Sequence, residues 1–287
     1  MRMRRGIAAA SVILLTGAAP VAQSATAPRA AQRGDVAAIR YTGTLIQGGL
    51  IRGTVPPGTV TLTLDGAPVG IAGGRFIAGF DRDAGGIAVL AATMADGRRV
   101  TEMLAIAPRD WAISRLSSLP KYPVPSAEFQ RLRPEEIKQI VAARATSNVT
   151  DGWRQDFVWP VKGRISTTFG SQRIYQNGEA GSYHSGIDIA RATGTPVVAP
   201  ADGVVILAAA SPFTLEGNLL MIDHGMGLNS AFLHLSRIDV KTGDRVRQGQ
   251  LIGAVGKSGR ATGPHLHWSL RWHDAKLDPL LVAGAMN

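Results

Sequence analysis

Gly263-Pro-His-Leu-His-Trp268 places two histidines two positions apart. Read as a strand, the stretch points His265 and His267 into one space and turns Leu266 toward a core, because side chains at i and i+2 share a face. Two imidazoles converging on one point can hold a metal, provided other parts of the chain reach them. Around this stretch, residues 159–279 read as short apolar and β-branched runs punctuated by glycines. The runs are 161–169, 186–190, 197–209 (a hairpin with Asp202-Gly203 near its turn), 219–223, 230–235, 251–255 and 266–271. They predict a nearly all-β, antiparallel domain over residues 153–287.

Upstream, the texture of residues 36–107 is also β. Thr59-Val-Thr-Leu-Thr-Leu alternates with period two and ends in Asp65-Gly66, 89–94 ends in Asp96-Gly97, and 75–80 supplies another strand. Several strands at this spacing predict a small antiparallel β-sandwich of immunoglobulin-like type. It holds no histidine, and its acids sit mainly at turns, so it reads as a spacer or binding module. Residues 108–152 read as a Pro-rich linker with a break at Pro120, Pro123 and Pro125. A helix then opens at Pro134-Glu-Glu, with Ile137, Ile140 and Val141 at helical spacing and Arg144 near its end.

The amino terminus starts Met1-Arg-Met-Arg-Arg, followed by an apolar run over 6–19 and small residues over 22–27. That order is a secretory signal peptide, assigned to residues 1–25; the apolar run is shorter than the ~20 residues of a membrane-spanning helix. Export to the periplasm or cell envelope, or secretion, is the expectation, with no transmembrane segment after cleavage. The 287 residues include no cysteine, which removes disulfides and thiolate metal sites, so any metal rests on His, Asp or Glu. A net charge of +10 suits an anionic envelope polymer. Nucleic acid is the competing partner, and it is set aside because no basic run is interleaved with stacking aromatics.

The second chemistry-bearing stretch is Tyr183-His-Ser-Gly-Ile-Asp-Ile-Ala190. Its alternation puts His184, Gly186, Asp188 and Ala190 on one face and Ile187 and Ile189 on the other. His184, Asp188 and one histidine of the later pair form a set of imidazole nitrogens and one carboxylate that suits zinc and leaves a fourth position for water.

Several stretches together resemble the lysostaphin-type zinc peptidases, peptidase family M23 or the LytM group. They are His184-Ser-Gly-Ile-Asp188, Gly194-Thr-Pro-Val-Val-Ala-Pro-Ala-Asp-Gly-Val-Val, Ile222-Asp-His-Gly, His234-Leu-Ser, Val240-Lys-Thr-Gly-Asp-Arg-Val-Arg-Gln-Gly-Gln-Leu-Ile-Gly and Thr262-Gly-Pro-His-Leu-His. The resemblance runs over about 159–279 and implies zinc ligands at His184, Asp188 and His267, one ion per chain, with His234 and His265 as unligated catalytic histidines. It implies an endopeptidase of peptidoglycan, acting on stem-peptide cross-links through a zinc-activated water. The alternative is a scaffold relative, inactive or latent, that activates other cell-wall hydrolases; a degenerate member should lack at least one of the five residues, and all five are filled. Two positions depart from the commonest pattern: Phe232 stands where tyrosine is frequent, and Ser269 where an acid is frequent. Arg173, in the stretch before the first ligand, is a candidate contact for a substrate carboxylate. His224 reads as buried or capping, His273 as an exposed loop residue, and Trp268 and Trp272 as core.

Overall fold

The amino-terminal strands are β1 (Arg40–Gly43), β2 (Leu50–Thr54), β3 (Thr59–Leu64), β4 (Ala67–Val69), β5 (Arg75–Gly79), β6 (Ile87–Met94) and β7 (Arg99–Ala105). They form two antiparallel sheets, in the orders β1-β2-β5 and β4-β3-β6-β7. This is the immunoglobulin-type arrangement with the fourth strand paired to the third. Ile51, Phe76 and Ile77 of the first sheet and Leu62, Leu90 and Leu104 of the second are buried in one core. Asp65 (φ 49°) and Gly66 (φ 84°) both adopt the left-handed conformation that a tight hairpin requires, which is why Asp-Gly ends β3.

The computed structural model describes residues 38–116 and 126–286. The expected signal peptide at 1–25 and the Pro120, Pro123 and Pro125 break lie outside the described residues. After the sandwich come β8 (Ile113–Arg115) and α1 (Ala127–Ala145), then β9 (Arg164–Thr167), β10 (Gln172–Ile174), β11 (Ile187–Ala190), β12 (Pro196–Val198), β13 (Gly203–Ala208) and β14 (Asn218–Asp223). The chain continues through β15 (Leu228–Leu235), β16 (Arg237–Ile238), β17 (Arg245–Val246), β18 (Leu251–Ala254), β19 (His265–Trp272), β20 (Ala275–Leu277) and a short α2 (Pro279–Ala283). An antiparallel sheet runs β17-β13-β14-β15-β19-β11-β9, with β20 beside β19, and β12-β18-β16 forms a smaller sheet. Among the described residues, no helix is long and apolar enough to cross a membrane.

Two expectations need correction. Residues 197–209 are not a hairpin: β12 pairs with β18, whereas β13 pairs with β14 and β17, so the chain changes sheets across residues 199–202. Pairing choice is a tertiary outcome that a turn dipeptide alone does not decide. The helix begins at Ala127 rather than Pro134. Ser126 is its N-cap, with Oγ accepting from the Phe129 N–H at 3.1 Å, and Pro134 lies inside. An internal proline removes a backbone hydrogen bond. Burial of Ile140 and Ala143 against Ile206, Phe213, Leu219, Met221 and Ala231 offsets that loss.

Candidate metal centre

Register in the large sheet assembles the site. Asp188 on β11 lies directly opposite His267 on β19, and Ala190 lies opposite His265, so the acid and both histidines share one face. Ile187, Ile189 and Leu266, on the alternate face, are fully buried, which fixes the register by hydrophobic burial. His184 comes from the loop ahead of β11 rather than from a strand. Its backbone is pinned at both ends: the His184 N–H donates to Ser171 O and its carbonyl accepts from the Gly170 N–H, each at 2.8 Å.

Three donor atoms meet there. His184 Nε2 lies 3.0 Å from Asp188 Oδ1 and 2.9 Å from His267 Nδ1, which is itself 2.9 Å from Asp188 Oδ1. His184 Nδ1 faces the Thr168 carbonyl at 3.1 Å; since a carbonyl only accepts, the proton sits on Nδ1 and Nε2 offers its lone pair to the centre. Lone-pair nitrogens and a carboxylate this close repel one another unless a cation lies among them. Two imidazoles and a carboxylate are the donor types zinc favours, and the residues therefore fit such an ion. Burial pushes the Asp188 carboxyl up, but the close contacts of its Oδ1 with the His184 and His267 rings outweigh that and hold the group well below the usual carboxylate range. Burial holds His267 below its ordinary value.

Two further histidines face this cluster. The His234 ring centroid is 4.8 Å from that of His265 and 6.3 Å from that of His267. His265 Nε2 is 3.7 Å from Asp188 Oδ1. Each of the pair has Nδ1 against a backbone carbonyl, His234 on Ser258 O at 2.9 Å and His265 on Gly263 O at 2.8 Å. Both therefore carry the proton on Nδ1 and present Nε2. His234 sits at the end of β15 with φ 63°, an uncommon conformation for a residue other than glycine, and its N–H donates to Glu216 O at 2.8 Å. Burial pushes His234 down to about 4.

The carbonyls of Thr168, Ser258 and Gly263 orient the histidines, and sequence reading did not identify them because a carbonyl leaves no residue-type signature. Gly186 was legible only as part of a motif. A Cβ there would lie 2.4 Å from Trp268 O and 2.7 Å from His267 Nε2, so the close approach requires glycine. Glycines 217 and 259 serve the same end, since a Cβ on Gly259 would lie 2.3 Å from the Gly217 nitrogen. The 257–259 turn thereby reaches the 215–217 loop and delivers Ser258 to His234. Arg173 stands exposed on β10 and makes no hydrogen bond or ion pair with the five residues. His224 is fully buried, with Nδ1 2.8 Å from Asp202 O and Nε2 2.7 Å from Ser230 Oγ, and His273 is exposed in the turn after β19. Phe232, Trp268 and Trp272 are core, and Ser269 lies on the site face of β19.

The profile of Peptidase family M23 matches residues 182–279. Peptidoglycan DD-endopeptidase ShyA of Vibrio cholerae is 43% identical over 109 residues, which is 38% of this chain and 25% of that protein. DD-carboxypeptidase/endopeptidase Mpg of Neisseria meningitidis is 41% identical over 120 residues, 42% of this chain and 27% of the relative. The matched stretch thus spans about a quarter of the length of these curated relatives. A crystal structure from Pseudomonas aeruginosa ascribed to peptidase M23 superposes with a TM-score of 0.65 at 30% identity, over 84% of this chain and 96% of that one. Because that likeness covers nearly the whole of a solved M23 structure, sandwich and metal-site sheet together, the chain belongs to peptidase family M23.

Proposed function

We propose that the chain is an exported zinc endopeptidase that hydrolyses peptide bonds in peptidoglycan, acting on stem-peptide cross-links in the periplasm or cell envelope. The carrying observation is the meeting of five groups in one place: three donor atoms within 3.0 Å of each other, and two imidazoles, each held at Nδ1 by a backbone carbonyl, beside them. Peptidoglycan as substrate is supported by what the curated relatives are named for.

His184, Asp188 and His267 would hold the zinc. When bound, the ion supplies a Lewis acid that lowers the pKa of water and polarises a carbonyl. The chain's own residues do the rest. Nε2 of His234 and of His265 accept or return a proton at the reacting atoms, because the Ser258 and Gly263 carbonyls keep each Nδ1 protonated. The His234 ring, carried on a left-handed backbone at the end of β15, lies 4.8 Å from that of His265 and 6.3 Å from that of His267. The scaffold alternative has no support in the residues, since a non-catalytic relative has no use for two oriented imidazoles beside an intact donor set.

The test is mass spectrometry of purified peptidoglycan after incubation with the zinc-loaded chain. New amino termini at peptide cross-links are expected, and they should vanish on chelation. Fragments broken only at glycan bonds, or none from a zinc-loaded sample, would end the proposal.

A further inference from the structure

Helix α1 lies on the face of the sheet that carries the metal centre. Between them is a cavity of about 280 Å³ lined by Ser185 and by His267 and Ser269 of β19. Its sheet wall sets the apolar Leu233 and Ala231 opposite the polar His267 and Ser269. Its helix wall carries Ile137 and Val141, which are 46% and 59% exposed although the helical spacing marks them for a core. From His267 to Ser269 the strand advances about 7 Å, the reach of two residues of extended peptide.

Two arginines of α1 line this space, and they differ. Arg133 is satisfied: Nη1 and Nη2 donate to the two Glu216 carboxylate oxygens at 2.6 and 2.8 Å. Arg144 makes no hydrogen bond or ion pair among the described residues, and its Nε is shut off from solvent without an acceptor. The nearby Arg271 adds repulsion and is already paired with Asp274 at 2.7 Å. Burial, then Arg271, push the Arg144 guanidinium down to about 10, against the weaker attraction of Glu216 and Asp274. A guanidinium N–H shut off from water without an acceptor is costly, and the guanidinium fork is shaped for a carboxylate. We propose that the space between α1 and β19 is a substrate subsite for a carboxylate-bearing peptide group, with Arg144 as its receptor. Peptide flanking the scissile bond on this side of the metal centre is then selected for negative charge, while Ile137, Val141, Leu233 and Ala231 take its aliphatic part. The inference rests on the endopeptidase reading above.

The experiment uses the zinc-loaded full chain and cross-linked stem-peptide dimers in three forms: free acid, amidated at the side-chain carboxylates, and amidated at the terminal α-carboxylate. The expected result is a kcat/KM about tenfold higher for the free acid than for one of the amidated forms, with KM carrying the difference; whichever form loses names the carboxylate. R144Q should bring that ratio to about one while retaining one zinc per chain and the wild-type circular dichroism spectrum, and R144K should fall between. A wild-type ratio of one, or an unchanged ratio in R144Q, would overturn the subsite. Equilibrium binding of the same peptides to the zinc-loaded H234A chain separates the two readings. If the wild type cleaves none of the peptides, the endopeptidase reading falls, whereas the subsite falls only when amidation and R144Q both leave Kd unchanged.

Discussion

His265 and His267 are neighbours on one strand face, yet their surroundings give them different work. His267 turns Nδ1 into the Asp188–His184 pair, whereas His265 ties Nδ1 to the Gly263 carbonyl and leaves Nε2 free beside the cluster, 3.7 Å from Asp188 Oδ1. On that basis H267A should fall from one bound zinc per chain to nearly none by elemental analysis. H234A should keep its zinc and lose roughly 10²- to 10⁴-fold in kcat, the usual size of a general acid–base contribution. Full turnover in H234A would remove its role. Gly186 gives a sharper test because it carries no functional group. G186A puts a methyl against Trp268 O, a backbone atom that cannot step aside, and against His267 Nε2. A cost of about 1–3 kcal/mol is expected from overpacking, with weaker zinc retention in a chelator competition; unchanged affinity would show that the sheet relaxes. The five residues of the site were legible as residue types at motif spacings. Their tautomers were not, because those depend on carbonyls of loops distant in sequence.

At the scale of elements, strands were easier to read than their partners. Alternation located β3, and short apolar runs located β14, β15 and β19, within a residue or two; β14 and β15 are buried on both faces, so their signal is a run rather than a period of two. The partner of residues 196–198 was missed, because β18 lies some fifty residues away and no local signal favours it over β13. Helix α1 was recognised only from its carboxy-terminal half: Pro134 looks like a first-turn residue, and the ion cluster that holds the helix down is tertiary. That cluster is specific. Arg133 bridges Glu216 and Glu136 (3.2 Å), while Glu136 accepts from the Thr214 N–H at 2.6 Å and hydroxyl at 2.7 Å. The R133M variant leaves two mostly buried carboxylates without their cation and should cost about 2–3 kcal/mol. Urea unfolding should show the loss, and hydrogen exchange should rise first in residues 127–145. A wild-type exchange pattern there would mean that apolar packing alone seats the helix.

Across the whole molecule, the sandwich and the metal-site sheet share one core, and their seam is polar where it nears the site. Arg52 donates to the Trp153 and Gln155 carbonyls at 2.7 and 2.9 Å, and Arg109 pairs with the buried Asp278 at 2.8 Å. Asp81 accepts from the Lys276 N–H at 2.8 Å and from the Tyr183 hydroxyl at 3.3 Å, next to His184. A chain so continuous should unfold as one unit, and its acid sensitivity then reports buried histidines far from the metal as well as near it. His224 is the clearest case: burial pushes it from 6.5 down to about 4, while Asp202 and Ser230 hold it in place. Unfolded, the ring takes up a proton near 6.5; folded, it does so only near 4. Its contribution is therefore complete above 6.5, is lost as pH falls from 6.5 to 4, and amounts to about 3 kcal/mol. Asp188, depressed in the folded state, removes more stability only at lower pH, as its carboxylate protonates. Urea midpoints of the chelator-treated chain should thus fall steeply between pH 6.5 and 4.5. H224N lacks a ring to titrate, so although less stable at pH 7 it should show a shallower slope across that window; a slope equal to that of the wild type would assign the acid loss elsewhere.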